Sequence, residues 1–166
     1  MEMSKRVVAG LAALVLGLAP GLLPGVAPAG SARAAEKPRV VVLTDIGNEP
    51  DDAESLVRFL LYANVFDVEG IAATTSRHQR DVVRPDLIRE RIEAYGEVLP
   101  NLRAHADGWP DAPALMQRVV LGRAAFGMAG VGDGLDTEAS RLLIEAVDRA
   151  DARPVWVLVW GGAVDL

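Results

Sequence analysis

The chain has no cysteine among its 166 residues, which excludes a disulfide framework and a lipid anchor carried on cysteine. Its fold must therefore stand on an apolar core or on a bound metal. Histidine is scarce: only His78 and His105 occur, far apart and without the spacing of a helical metal-binding pair. Basic residues are in deficit as well, with 17 Lys and Arg against 23 Asp and Glu and a formal charge of −6. A negative chain is a poor match for nucleic-acid phosphates, so no nucleic-acid partner is expected. It suits a cation or a neutral polar ligand. No internal repeat occurs, and no low-complexity tract is present outside the first residues.

The one long apolar run lies at the start. Lys5 and Arg6 precede Val7 through Leu23, and Ala32-Arg33-Ala34 supplies a small-x-small cleavage pattern. The length also invites a membrane-spanning helix. Pro20, Pro24 and Pro28 oppose that, since each removes a backbone donor and clashes with the turn before it. Residues 1–34 are thus read as a cleavable signal peptide, with a secreted or periplasmic product and no stable membrane insertion afterwards. The leader holds Lys5, Arg6 and Arg33 against Glu2, so the mature chain is more acidic than the whole.

From residue 35 onward, strand and helix patterns alternate. Arg39 to Thr44 is short, β-branched and continuously apolar, as expected of a strand buried on both faces. A polar turn follows, then Ala53, Leu56, Val57, Leu60 and Leu61 at helical spacing within 51–64. Val68 to Thr75 reads as a second strand and Pro85 to Val98 as a helix. Leu115, Met116, Val119 and Val120 suggest a shorter helix after the Trp109-Pro110 turn, and 127–134 is glycine-rich loop. Thr137 to Ala150 reads as a helix capped by Asp136, with Leu142, Leu143, Ala146 and Val147 inward; Val155 to Trp160 is a third strand. This alternation predicts an α/β fold: a Rossmann-like parallel sheet flanked by helices. The sequence ends four residues after Gly162, where a covering helix is expected, and so reads as the truncated, N-terminal half of a larger domain.

Chemistry concentrates on the turn after the first strand, where Asp45, Asn48, Glu49, Asp51 and Asp52 fall together. In an open α/β sheet, ligands bind outside the carboxyl ends of the strands. So many carboxylates repel one another unless protonated or neutralised. An oxygen-only cluster suits a hard cation such as Ca²⁺, which takes roughly six to eight oxygens. Equally, Asp51 and Asp52 could simply cap a helix, where the dipole favours them. Thr75 and Ser76, at the end of the second strand, are candidates for ligand contact in the same crevice.

The stretch Leu43-Thr44-Asp45-Ile46-Gly47-Asn48-Glu49-Pro50-Asp51-Asp52-Ala53 resembles the N-terminal aspartate motif of the nucleoside hydrolases. It resembles more closely a secreted, nucleoside-hydrolase-like branch whose members are described as cellulose-binding proteins. Tyr62-Ala63-Asn64, Thr74-Thr75-Ser76, Pro100-Asn101-Leu102, Gly132-Asp133-Gly134, Arg153-Pro154-Val155-Trp156 and Trp160-Gly161-Gly162-Ala163 continue the match. The resemblance implies Ca²⁺ held by Asp45, Asp52 and the Trp160 carbonyl. It implies Asp51 as the general base that activates water against an anomeric carbon, through an oxocarbenium-like transition state. Asn48 and Glu49 fill a turn two residues longer than the nucleoside-hydrolase motif and are candidates for sugar contacts or an extra metal oxygen, and Leu43 replaces that motif's leading aspartate.

The implied activity is calcium-dependent hydrolysis of a glycosidic or N-glycosidic bond in a small nucleoside or carbohydrate ligand. The late aspartate and histidine of the family's site have no counterpart in the sequence, so the chain by itself is expected to be inactive. The alternative is a carbohydrate (cellulose)-binding domain without catalysis. A receiver domain also gathers aspartates after its first strand, but the leader argues against that. Gly127 to Gly132 lacks the Gly-Lys-Ser/Thr ending of a phosphate loop. Arg77, Arg80 and Arg84 read as a solvated loop, His105 as packed against the Asn101 turn, and Trp109 as a turn aromatic or a sugar-stacking platform.

Overall fold

The computed structural model describes residues 36–166; the signal-peptide assignment falls outside the described residues. Strands β1 (Arg39–Thr44), β2 (Asp67–Ala73), β3 (Val119–Leu121) and β4 (Val155–Val159) form one sheet in the order β3-β2-β1-β4, every pairing parallel. Helices α1 (Pro50–Leu60), α2 (Pro85–Arg103), α3 (Ala112–Met116) and α4 (Glu138–Asp148) provide the crossovers. All six residues of β1 are buried, as a central parallel strand requires. The expected α/β class with a parallel sheet is found.

The chain steps outward from β1 through β2 to β3, then returns across the sheet to lay β4 on the other side of β1. Its two apolar clusters follow that route. Val40, Val42, Ile71 and Ala73 pack with Leu56, Phe59, Ile88, Ile92 and Tyr95, which places α1 and α2 on one face. Val41, Leu43 and Ala72 pack with Ala139 and Leu143 of α4 on the other. The order therefore reverses between β1 and β4, and a crevice opens there at the carboxyl ends of the two strands.

A break in register decides what lies at the opposite end of the sheet. Val40 pairs with Val68, but Val41 pairs with Gly70, so Glu69 is an extra residue in β2. The bulge frees the Glu69 side chain to meet Arg39, whose Nε lies 2.5 Å from Glu69 Oε1 with both side chains buried. Arg149 reaches the same carboxylate at 2.9 Å, and Arg39 also donates to the carbonyls of Ala146 and Arg153. Arg153 in turn binds Asp151 and Asp67. This network ties β1, β2, α4 and the start of β4 together below the sheet.

Several local expectations are corrected. The first helix ends at Leu60, with a 3-10 turn at Ala63–Val65, and Val57 and Leu61 are exposed. The second strand stops at Ala73, and α2 runs on through the exposed Pro100 to Arg103. Val119 and Val120 belong to a strand rather than a helix; a three-residue strand shows too little periodicity to be told from one. A 3-10 turn, Gly127–Gly130, interrupts the glycine-rich loop. Thr137, not Asp136, caps α4, through a reciprocal capping box with Ser140, and Val147 is exposed. His105 is exposed and Trp109 packs against the α2 side of the core. No helix among the described residues is long and apolar enough to cross a membrane.

Candidate functional site

A cavity of ≈ 390 Å³ opens at the carboxyl ends of β1 and β4, lined by Asp45, Asn48, Glu49, Asp51, Asp52, Ser76, Arg77, His78, Phe126, Trp160, Gly161 and Gly162. Three local devices shape it. At the end of β1, Gly47 adopts φ 109°, a left-handed conformation that bends the acidic turn back toward α1. Pro50 then opens α1, placing Asp51 and Asp52 in its first turn, where the helix dipole favours negative charge. Beyond β4, Gly161 and Gly162 wedge between the ends of β1 and β2. A Cβ on Gly161 would stand 2.7 Å from the Asp45 backbone nitrogen and 2.9 Å from Asp45 Oδ1. The Gly162 N–H donates to the Thr75 carbonyl at 2.8 Å. The glycine pair thus fixes Asp45 by close backbone approach.

Asp45 is half-buried, Asp51 exposed and Asp52 only 7% exposed. Thr44 Oγ1 donates to Asp52 Oδ2 at 2.5 Å while accepting from the Ile46 N–H, so the Asp52 carboxyl is held from both the strand and the turn. Burial pushes the Asp52 carboxyl above the usual carboxylate range, against the Thr44 hydrogen bond; repulsion from Asp45, a hydrogen bond with Asp45 and the charge of Asp51 push it further. Two acidic groups thus meet at the floor of the cavity, and protonation of Asp52 relieves their repulsion.

The donor set matches a hard cation in kind, since Asp45 and Asp52 line one cavity together with Trp160. It falls short in number: among the described residues, no group of three or more His, Cys, Asp or Glu side chains is placed to hold a metal ion. Asn48, Glu49, Asp51, Ser76 and Trp160 all reach the cavity wall as the sequence suggested. Thr75 does not line it. It is fully buried, and its hydroxyl donates to the Ala125 carbonyl at 3.2 Å, so it anchors the loop that carries Phe126.

Arg77, His78 and Phe126 line the wall without having been assigned to it. The first two ride on a tight turn in which Ser76 Oγ accepts from the His78 and Gln79 N–H groups, and Gln79 is linked back to Ile46 of the acidic turn. The Ser76 N–H bonded to the Gln79 carbonyl completes that turn. A serine three residues before Gln79 was the available signal. Nothing local signals Phe126, fifty residues downstream of Ser76. Arg77 and Arg80 are exposed, as a solvated loop requires, but Arg80 also lies over the Phe126 ring, and Arg84 pairs with Asp86.

Asp52 contributes to the pH dependence of stability with the sign opposite to that of Asp151 and Asp86, whose carboxyls Arg153 and Arg84 hold below the usual range. The folded-state pKa of Asp52 is raised above the unfolded one, so its contribution favours the fold below the unfolded pKa and is lost as pH rises through the folded value. Asp52→Asn keeps the acceptor for Thr44 and removes the charge. In metal-free buffer at pH 7 we expect it to melt about 3 °C higher than wild type, for roughly 1 kcal/mol, and the difference to vanish near pH 4. Thermal melts across that range check it; a lower melting temperature for the variant at pH 7 overturns the assignment.

The model of the family described as "Cellulose-binding Sde182, nucleoside hydrolase-like domain" matches residues 39–166. Among solved structures, the chain is similar to a nucleoside hydrolase-related hypothetical protein from Saccharophagus degradans that is associated with carbohydrate metabolism. The two share 41% identity with a TM-score of 0.75, over 78% of this chain and 31% of that one. This chain therefore spans about a third of the length of that relative. No curated protein matches it.

Proposed function

The chain belongs to the Sde182 nucleoside hydrolase-like family, and on that premise we propose that its acidic cavity is a glycoside site serving hydrolysis of a glycosidic or N-glycosidic bond in an exported protein. The observation that carries this is the meeting of Asp45 with the buried Asp52 at the sheet's topological switch point. In open α/β sheets ligands bind at that point, and burial beside the Asp45 charge makes Asp52 costly to ionise without a cation.

In this reading Asp45, Asp52 and the Trp160 carbonyl would hold Ca²⁺, with the rest of its oxygens supplied from outside the described residues. The cation, when bound, neutralises the paired carboxylates and makes a nearby water more acidic. Asp51, exposed at the cavity wall, takes the proton from the attacking water. Asn48, Glu49 and Ser76 orient sugar hydroxyls, and the surrounding carboxylates favour the positive charge that develops at the anomeric carbon. The relative's association with carbohydrate metabolism supports a small carbohydrate ligand.

Calorimetry with CaCl₂, run beside release of reducing sugar from nucleosides and oligosaccharides, tests this. With few oxygens in place, Ca²⁺ affinity is expected on the order of 10⁻⁴–10⁻³ M, as in weak extracellular sites. Asp45→Ala and Asp52→Ala should abolish the binding heat. Asp51→Asn should retain it, and in a full-length protein it should lower hydrolysis by about 10²-fold or more, since this chain by itself is expected to turn nothing over. Sugar binding indifferent to chelator and to Asp51→Asn supports binding without catalysis instead. Calcium heats unchanged in both alanine variants overturn the metal assignment.

A further inference from the structure

Phe126 stands between two cavities. On one side is the acidic cavity; on the other is an apolar groove of ≈ 230 Å³ lined by Phe126, Gly127, Met128, Val131, Ala163 and Val164. The ring is 38% exposed, and the groove beyond it carries Met128 at 82% and Val131 at 49% exposure. A ring more than a third exposed at the edge of a charged cavity offers an apolar face to a ligand.

The ring is nonetheless held in place. Arg80 lies over it with its guanidinium carbon 5.6 Å from the ring centre. The preceding residue, Ala125, is tied by its carbonyl to the buried Thr75 at the end of β2. On the far side of the loop, a Cβ on Gly130 would approach the Ala125 carbonyl to 2.7 Å, so the 3-10 turn packs closely under the segment. An exposed aromatic fixed by a cation, a buried hydroxyl and a close-packed turn is a preorganised face.

We propose that Phe126 is a sugar-stacking platform and that the Met128–Val131 groove is a second subsite, so that the site takes an oligosaccharide rather than a nucleoside. This rests on the reading of the acidic cavity as a glycoside site. A pyranose ring is polar at its hydroxyl rim and apolar on its C–H faces. The two compartments reproduce that division: carboxylates, Ser76, Arg77 and His78 meet hydroxyls in the first, and an aromatic ring leads to an apolar floor in the second. The first compartment is already of ligand-site size, about 300–1,000 Å³, and the second extends it, with Phe126 lining both. A nucleoside would fill the first compartment and leave the second open.

The test measures affinity by calorimetry for glucose, cellobiose, cellotetraose and adenosine in wild type, Phe126→Ala, Phe126→Leu, Phe126→Trp and Asp52→Asn, each checked for folding by circular dichroism. Wild type should bind cellotetraose about tenfold or more tighter than glucose, and the ratio should fall to about one in Phe126→Ala and Phe126→Leu but persist in Phe126→Trp. Leucine keeps bulk without a flat face, so its failure separates stacking from filling. An affinity independent of chain length, or a tenfold preference for adenosine that depends on Phe126, overturns the platform's assignment to oligosaccharide. The reading of the acidic cavity fails separately: Phe126-dependent binding of cellotetraose that Asp52→Asn leaves untouched would keep the platform and remove the acidic subsite. Absence of binding by any of the four ligands overturns both.

Discussion

Glu69→Leu is expected to lower the melting temperature by roughly 10 °C or more, the largest effect of any substitution considered. Glu69 meets both Arg39 and Arg149 at hydrogen-bonding distance, and it is 3% exposed. Without it, Arg39 is left with the carbonyls of Ala146 and Arg153 and the longer 3.7 Å approach of Asp151 among the described contacts, while remaining 1% exposed. A guanidinium cannot relieve that by losing its proton. The structure must open at the base of β1, or water must enter. The double variant Arg39→Met with Glu69→Leu should recover a large part of the loss, since replacing both partners leaves no buried charge behind. Thermal melts of the two single variants and the double variant measure this. A double variant as unstable as Glu69→Leu alone would mean that the bulged backbone, and not the charge, is at fault.

Gly161→Ala should cost about 1–3 kcal/mol and disable the site together. The added Cβ lands on Asp45 itself, against its backbone nitrogen, its Cβ and its carboxylate oxygen. None of these is the loose end of a flexible side chain, so either β4 is pushed off β1 or Asp45 leaves its place beside Asp52. Both routes separate the paired acids. Calcium heat and sugar affinity should fall together with stability, and the upward push on Asp52 should weaken as Asp45 withdraws. Gly134→Ala is the control outside both cavities, since a Cβ there meets nothing within 4 Å, although its φ of +74° still costs strain. If Gly161→Ala binds ligand like wild type, the close approach does not organise the site.

Much of the architecture was legible in the sequence because its signals are local. The continuous β-branched run 39–44 could be nothing but a strand buried on both faces, and all six residues are buried. Pro50 with Asp51 and Asp52 marked a helix start, and the helix begins there. Other boundaries slipped where local propensity was overruled. Helix α2 passes Pro100, which is exposed, and the capping box on Thr137 outcompeted Asp136. Strand β3 went unread because its three residues gain their identity only from pairing with Ile71, Ala72 and Ala73.

By itself the sequence determined the alternation of strand and helix, the acidic turn after the first strand and the family to which the chain belongs. Hydrophobic period, helix-start chemistry and motif order are properties of neighbouring residues, and they survive without coordinates. Only the tertiary structure decided that β4 returns to the far side of β1, which sets Gly161 against Asp45 and makes a cavity of the turn. It alone turned Thr75 away from that cavity to hold Ala125, and brought Phe126 opposite the acids. The bulge that sends Glu69 to Arg39 is likewise a matter of register between two strands. These are contacts between residues far apart in the chain. Burial and charge pairing across the sheet select them, and no local window of the sequence contains both partners.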